Sequence, residues 1–240
     1  MHYGSKLKKI IRPDSTKSQY RDSKKLWLDK NENSDETLAQ KIKKILSKFN
    51  KNLVFSYPNL APIYHKLSKN LGLSSKNILL TAGSDAGIKA VFETFVKKND
   101  LVLRTNPTFA MYGVYIKIFN AKEVLANYKK TNIGPKIYFK DFEKIVLKKK
   151  PKLICLPNPD SPTGHHFSLN EIGILIKKAK SVNSFILIDE AYYPFHPYTC
   201  KKFLKKYSNL IIVRTTAKAW GMAGARVGYI LSSKKNDIQA

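Results

Sequence analysis

Acidic residues are scarce in this sequence: 17 aspartates and glutamates stand against 44 lysines and arginines, a formal net charge of +27. Arginine is scarce as well. Only Arg12, Arg21, Arg104, Arg214 and Arg226 occur, so the other 39 basic residues are lysines. Nucleic-acid readers rely on arginine forks, a clustered basic face and stacking aromatics. Here the lysines are scattered, as in Lys6-Leu7-Lys8-Lys9, Lys97-Lys98, Lys148-Lys149-Lys150, Lys201-Lys202 and Lys234-Lys235. Such spacing reads as solvated faces, and no nucleic-acid partner is expected. Two cysteines, Cys155 and Cys200, make neither a disulfide framework nor a metal-ligand pattern, so no metal is expected. No apolar run approaches the roughly 20 residues that span a bilayer. The start, Met1-His2-Tyr3-Gly4-Ser5-Lys6, lacks the apolar centre of a signal peptide. The expectation is a soluble cytoplasmic protein without a membrane partner. A chain of 240 residues, 43% hydrophobic and without visible repeats, can bury one sizeable core, or one large and one small domain.

What is present alternates between strand and helix signals. Apolar runs predict strands at 78–81, 101–103, 122–128, 152–156, 185–188 and 210–213. Helical periods lie at 36–49, from the glycine turn 82–87 to about Val96, at 139–147, and from the capping box Ser168-Leu169-Asn170-Glu171 to about Lys180. Residues 1–25 read as an irregular polar arm. The alternation predicts an α/β fold with a mostly parallel sheet.

Three stretches carry chemistry. The first is Thr215-Thr216-Ala217-Lys218-Ala219-Trp220-Gly221, running on to Arg226-Val227-Gly228-Tyr229. A lysine amine attacks carbonyls only when neutral, and small apolar neighbours with a fixed guanidinium nearby lower its pKa. The second is Phe185-Ile186-Leu187-Ile188-Asp189-Glu190-Ala191-Tyr192, four apolar residues ending in carboxylates at a strand's C-terminal edge. A nucleotide-magnesium reading of that strand needs a phosphate loop. The nearest candidate, Gly83 to Lys89, has the wrong spacing and lacks the hydroxyl, so that reading is rejected. The third is Leu156-Pro157-Asn158-Pro159-Asp160-Ser161-Pro162-Thr163-Gly164. Weaker signals are the glycine turn Gly83-Ser84-Asp85, a backbone anion cradle at a helix start; Pro107-Thr108-Phe109; Asn31-Glu32-Asn33; and Tyr57 before Pro58. The pair His165-His166 points to opposite sides and predicts a solvated loop rather than a metal site.

The three stretches, in this order and with 28 residues from Ser161 to Asp189 and 29 from Asp189 to Lys218, resemble the pyridoxal-phosphate aminotransferases of fold type I. Within them the chain is most similar to the histidinol-phosphate aminotransferase family, over about Leu26 to Ser232. The resemblance implies a three-layer α/β/α large domain and pyridoxal 5'-phosphate as cofactor. It implies Lys218 as Schiff-base lysine and general base and Asp189 as the partner of the pyridine nitrogen. Tyr192, with Ser161, is implied to contact the ring oxygen, and Phe109 to stack on the ring. Thr215, Arg226 and the amides near Ser84 and Asp85 are implied to hold the phosphate, joined by Tyr57 from a neighbouring subunit. Implied partners are a small amino donor, a 2-oxo acid acceptor and a second copy of the chain. A decarboxylase of the same fold, of the threonine-phosphate type, is the alternative; a non-enzymatic basic binding protein is the other class. The chain departs from the family at Ala86, where glutamate is usual. It departs also at Ala217, which has no hydroxyl to donate, and at Ser161, which offers one donor where asparagine offers two. The implied division is an arm and first helix over 1–50 and a cofactor-binding large domain over 51–240. Family members continue into a small C-terminal domain with the arginine for the substrate carboxylate. The resemblance therefore implies an incomplete large domain that does not turn over by itself.

Overall fold

A computed structural model describes residue 25 and residues 29–50 and 55–233. The arm read at the N-terminus, with Arg12 and Arg21, lies outside the described residues except for Lys25. So do Leu26 to Leu28 and the residues from Lys234 on.

The apolar runs become strands, and the central three, at 153–157, 185–189 and 210–215, are covered on both faces. Seven strands form one sheet: β1 (Ile78–Thr81), β2 (Leu101–Asn106), β3 (Lys122–Asn127), β6 (Leu153–Pro157), β7 (Phe185–Asp189), β8 (Leu210–Thr215) and β9 (Gly228–Ser232). Their spatial order is β1-β9-β8-β7-β6-β2-β3, and only β9 runs against the others. A separate hairpin pairs β4 (Lys129–Thr131) with β5 (Gly134–Lys136).

Alternation within single strands divides the core in two. Ile186 and Ile188 join Leu103, Ile154 and Ile212 under α5 (Phe139–Lys149) and α6 (Leu169–Ser181). Leu187 points the other way, with Cys155, Ile211 and Val213, under α3 (Gly83–Phe95) and α4 (Met111–Ile118). The result is a three-layer α/β/α arrangement with a mostly parallel sheet, as the sequence predicts. A strand buried on both faces is apolar throughout, which is why β6, β7 and β8 were legible as unbroken runs.

Several boundaries differ. The first helix, α1, spans Glu36–Leu46 rather than reaching 49; Ser47 closes it, its amide donating to the Ile45 and Lys43 carbonyls. No residue of α1 is buried, but Leu38 and Ile42 rest against Gly221 in the lysine segment. Strand β2 continues past 103 to Asn106, so Arg104 lies inside it, paired with Glu123 at 2.6 Å. Helix α2 (Ala61–Leu71) went unread; Pro62 starts it and Gly72, at φ 61°, stops it. No helix among the described residues is long and apolar enough to cross a membrane.

Parallel pairing brings the C-terminal ends of β2, β6, β7 and β8 to one edge. Pro157 lies beside Asp189, and Asp189 beside Val213. Because β9 is antiparallel, its first residue, Gly228, reaches the same edge between Thr81 and Thr215.

Candidate active site

At that edge a cavity of about 680 Å³ is lined by Ser84, Asp85, Phe109, Ser161 and Asp189, and by Tyr192, Thr215, Lys218 and Arg226. Nine of the ten residues singled out in the sequence thus share one space. Tyr57 does not line it and is fully exposed.

Asp189 closes strand β7 and is 5% exposed. The Tyr112 hydroxyl donates to it at 3.0 Å and the Ala191 amide at 3.0 Å. No ion pair among the described residues involves it. Burial pushes its carboxyl up to about 7 against those two donors, with the charges of Asp160 and Glu190 adding to the rise. Burial, and then the Asp189 charge, push the Tyr112 phenol up as well, so it stays a donor. A carboxylate held this way is stabilised by a cation delivered into the cavity.

An anion cradle lies opposite. The amides of Ser84 and Asp85 open helix α3, and the Asp85 side chain turns away to accept from the Tyr115 hydroxyl at 2.9 Å. Arg226, itself at φ 51°, lays its guanidinium over Gly83 and donates to the Ala82 carbonyl at 3.3 Å. A Cβ on Gly83 would meet Arg226 Nη2 at 2.7 Å. Gly228 is required for a different reason. A Cβ there would lie 2.4 Å from the Gly83 carbonyl carbon and 2.7 Å from the Ser84 nitrogen, so only glycine lets β9 approach the helix start. Helix N-terminus and guanidinium together make a seat for a phosphate. Thr215 is engaged locally: its hydroxyl donates to the Val227 carbonyl at 3.4 Å and accepts from the Ala217 amide at 3.1 Å.

Lys218 donates its amine to the Lys30 carbonyl. Asn31 donates to the Tyr192 hydroxyl at 2.7 Å, and Asn33 donates to the Ala219 carbonyl at 3.2 Å. The Asn-Glu-Asn stretch is therefore a strap across the cavity mouth. Phe109 is 39% exposed and lines the cavity, its ring perpendicular to that of Tyr112. His165 is half-buried against Tyr128 and Phe167, whereas His166 is exposed and packs on His196. The solvated-loop reading holds for His166 alone. Among the described residues no cluster of three or more His, Cys, Asp or Glu could hold a metal.

Sequence reasoning missed the supports. Beside Asp189, Glu190 is 2% exposed and takes two bonds from Arg214, at 2.9 and 2.8 Å. It also accepts from the Thr199 hydroxyl and from the Cys200 amide at 2.7 Å, while Arg214 stacks 3.8 Å over the Tyr193 ring. Arg214→Lys keeps the charge but loses the fork and the stacking. A stability loss of about 2 kcal/mol is expected, readable as a lowered urea midpoint. An unchanged midpoint would mean that the pair is not held as a fork.

The chain matches the family model of aminotransferase class I and II over residues 23–239. Among curated proteins it is 36% identical to a histidinol-phosphate aminotransferase of Caldanaerobacter subterraneus subsp. tengcongensis over 180 residues, 75% of this chain and 50% of that protein. Its fold is similar to that of the histidinol-phosphate aminotransferase from Sinorhizobium meliloti in complex with pyridoxal-5'-phosphate. The TM-score is 0.73 at 21% identity, covering 87% of this chain and 56% of the other. The L-threonine-O-3-phosphate decarboxylase of Porphyromonas gingivalis aligns with a TM-score of 0.65 at 20% identity, covering 85% and 60%. The chain spans about half the length of the curated relatives it matches.

Proposed function

Because this chain belongs to the class I and II aminotransferase family, we propose that it forms the pyridoxal-phosphate site of a transaminase acting on an amino acid or amino alcohol phosphate. The nearest activity on this reading is that of the histidinol-phosphate aminotransferases. What carries the reading is one cavity walled by an amine at Lys218, a buried carboxylate at Asp189 and an anion cradle at Ser84, Asp85 and Arg226. The cavity offers a cation partner, a phosphate seat and an amine together, the three groups this cofactor requires.

When bound, pyridoxal phosphate supplies an aldehyde carbon that takes up an amine and a ring that accepts the electron pair left on the substrate's α-carbon. The residues do the rest. Arg226 and the amides of Ser84 and Asp85 hold the phosphate, with Thr215 beside them. Asp189 would hold a proton on the ring nitrogen, and Phe109 would pack against the ring. Tyr192 and Ser161 would contact the ring oxygen. Lys218 would hold the cofactor's aldehyde end through its amine and would be the base that receives the substrate's α-proton on its Nζ. Tyr57, exposed and outside the cavity, is assigned to the site of a second copy. The division into an arm with first helix over 1–50 and a large domain over 51–240 belongs to the same reading, as does a cytoplasmic setting. A small amino donor and a 2-oxo acid are its partners.

The test is titration of the protein with pyridoxal phosphate, then borohydride and peptide mapping. A visible absorption band and a reduced adduct on the Lys218 peptide are expected. The adjacent amine is Lys30, whose residue also lines the cavity; an adduct there, or none, defeats the assignment. In a chain competent for turnover a donor screen then separates the activities: a 2-oxo product marks a transaminase, whereas carbon dioxide marks a lyase.

A further inference from the structure

Asp160 is a carboxylate that the proposed mechanism does not use. It follows strand β6, one residue before Ser161, and is 2% exposed. Three hydroxyls donate to it: Thr105 at 2.5 Å, Thr108 at 2.5 Å and Tyr128 at 2.8 Å. The Ser161 amide donates as well. Its own amide donates to the His165 carbonyl at 2.8 Å, and its carbonyl accepts from the Gly164 amide at 2.7 Å, closing the loop on itself. No ion pair among the described residues involves it. Burial raises its pKa, and the Thr105, Thr108, Tyr128 and Ser161 donors act against that rise.

A carboxylate has about four lone-pair positions, and four donors fill them. Bonds from hydroxyl to carboxylate are short and about twice as strong as neutral ones. Such a cage is an expensive way to fill a loop, since an apolar side chain of similar size would avoid the desolvation. What the cage achieves is a junction. Thr105 lies in β2, Tyr128 follows β3, and Thr108 immediately precedes Phe109. One carboxylate thus ties the loop bearing Ser161 to the loop bearing Phe109.

We infer that Asp160 is a positioning residue that fixes the spacing between Phe109 and Ser161, the two loop residues that face the cofactor ring from different strands. The inference rests on the cofactor reading above. Among the described residues, Asp160 takes the hydroxyl bonds that Thr105 and Thr108 direct at the Ser161 loop, and Tyr128, bonded to Thr105 and Thr163 as well, braces the same junction. Asparagine keeps the shape of Asp160 but turns an NH₂ toward hydroxyls that are already donating. Valine at 108 removes the hydroxyl beside Phe109 at constant size, and serine keeps it.

The experiment compares Asp160→Asn, Thr108→Val and Thr108→Ser with the parent protein. Three readouts are used: pyridoxal-phosphate affinity, circular dichroism of the visible band, and hydrogen exchange of the cofactor-free protein. Asp160→Asn should weaken cofactor binding about tenfold and change the visible dichroism, which reports ring orientation. It should also speed exchange in both 105–109 and 158–164. Thr108→Val should reproduce the dichroism change, and Thr108→Ser should restore it. Unchanged affinity and dichroism in Asp160→Asn, or failure of Thr108→Ser to restore the signal, would overturn the inference. Exchange confined to one of the two loops would do so too. If the parent protein shows no visible band, the cofactor reading fails; exchange in the cofactor-free variants still decides whether the carboxylate joins the loops.

Discussion

Lys218→Ala is expected to abolish borohydride trapping and, in a chain competent for turnover, to lower the rate of substrate deprotonation by about 10⁴-fold or more, roughly 5.5 kcal/mol. Two losses combine. The amine that binds the cofactor's aldehyde carbon is gone, and so is the base that moves the α-proton. Lys218→Arg should do no better, because a guanidinium stays protonated and cannot act as nucleophile or base. The wall of the cavity contains a second lysine, Lys30, so rescue by a neighbour is a concrete rival outcome. It is opposed by the present contact, in which Lys30 offers Lys218 its backbone carbonyl and lies on the strap instead of on a sheet strand. Removing the amine also removes that contact. Exchange across residues 29–33 should rise in the cofactor-free variant, while the bond from Asn31 to Tyr192 holds the far end. A variant that still traps cofactor, or deprotonates substrate within tenfold of the parent rate, would show that Lys218 is not the reacting amine.

The parts of this site that were legible are those that a single stretch of chain builds. Asp189 was readable because four apolar residues force a buried strand and the carboxylate sits where the strand leaves the sheet. Lys218 and Arg226 were readable because glycine spacing marks the turn that carries both. The supports are made across the chain. Tyr112 reaches Asp189 from 77 residues away, Thr108 reaches Asp160 from 52, and Asn31 reaches Tyr192 from 161. Nothing local in a tyrosine on an apolar helix, or in an aspartate between two prolines, announces such a partner. Glu190 follows Asp189 directly, and alternation along the chain sends the two carboxylates apart. Asp189 faces the cavity, and Glu190 goes to Arg214. Helix α2 went unread because only Leu71 is buried in it, which leaves a weak apolar stripe.

Asp189→Asn is expected to act in opposite directions on stability and on chemistry. In the folded protein burial raises this carboxyl to about 7, above the ordinary value of 3.8. Between those pH values the native state keeps a proton that the unfolded chain has lost. The stabilisation from this group is therefore complete below about pH 4 and is lost as pH rises through about 7. A shift of about three units at about 1.36 kcal/mol each sets an upper limit of about 4 kcal/mol for that loss. Asparagine does not ionise. It can still accept from the Ala191 amide and can donate to the Tyr112 hydroxyl, so the geometry at 3.0 Å is retained. The cofactor-free variant should accordingly be about 2–4 kcal/mol more stable than the parent at pH 8, and its stability should not vary between pH 5 and 7 on this account. With the cofactor present the order reverses. The ring nitrogen would lose its charge partner, and in a chain competent for turnover deprotonation should slow by at least about 100-fold, or 2.7 kcal/mol. Pyridoxal phosphate should also stabilise the parent more than the variant, since only the parent has a buried carboxylate for the ring cation to neutralise. Urea denaturation at pH 5 and pH 8, with and without cofactor, reads all the stability terms. Equal stability of the two cofactor-free proteins at pH 8, together with a near-parental rate, would make Asp189 a structural carboxylate satisfied by Tyr112 and the Ala191 amide alone.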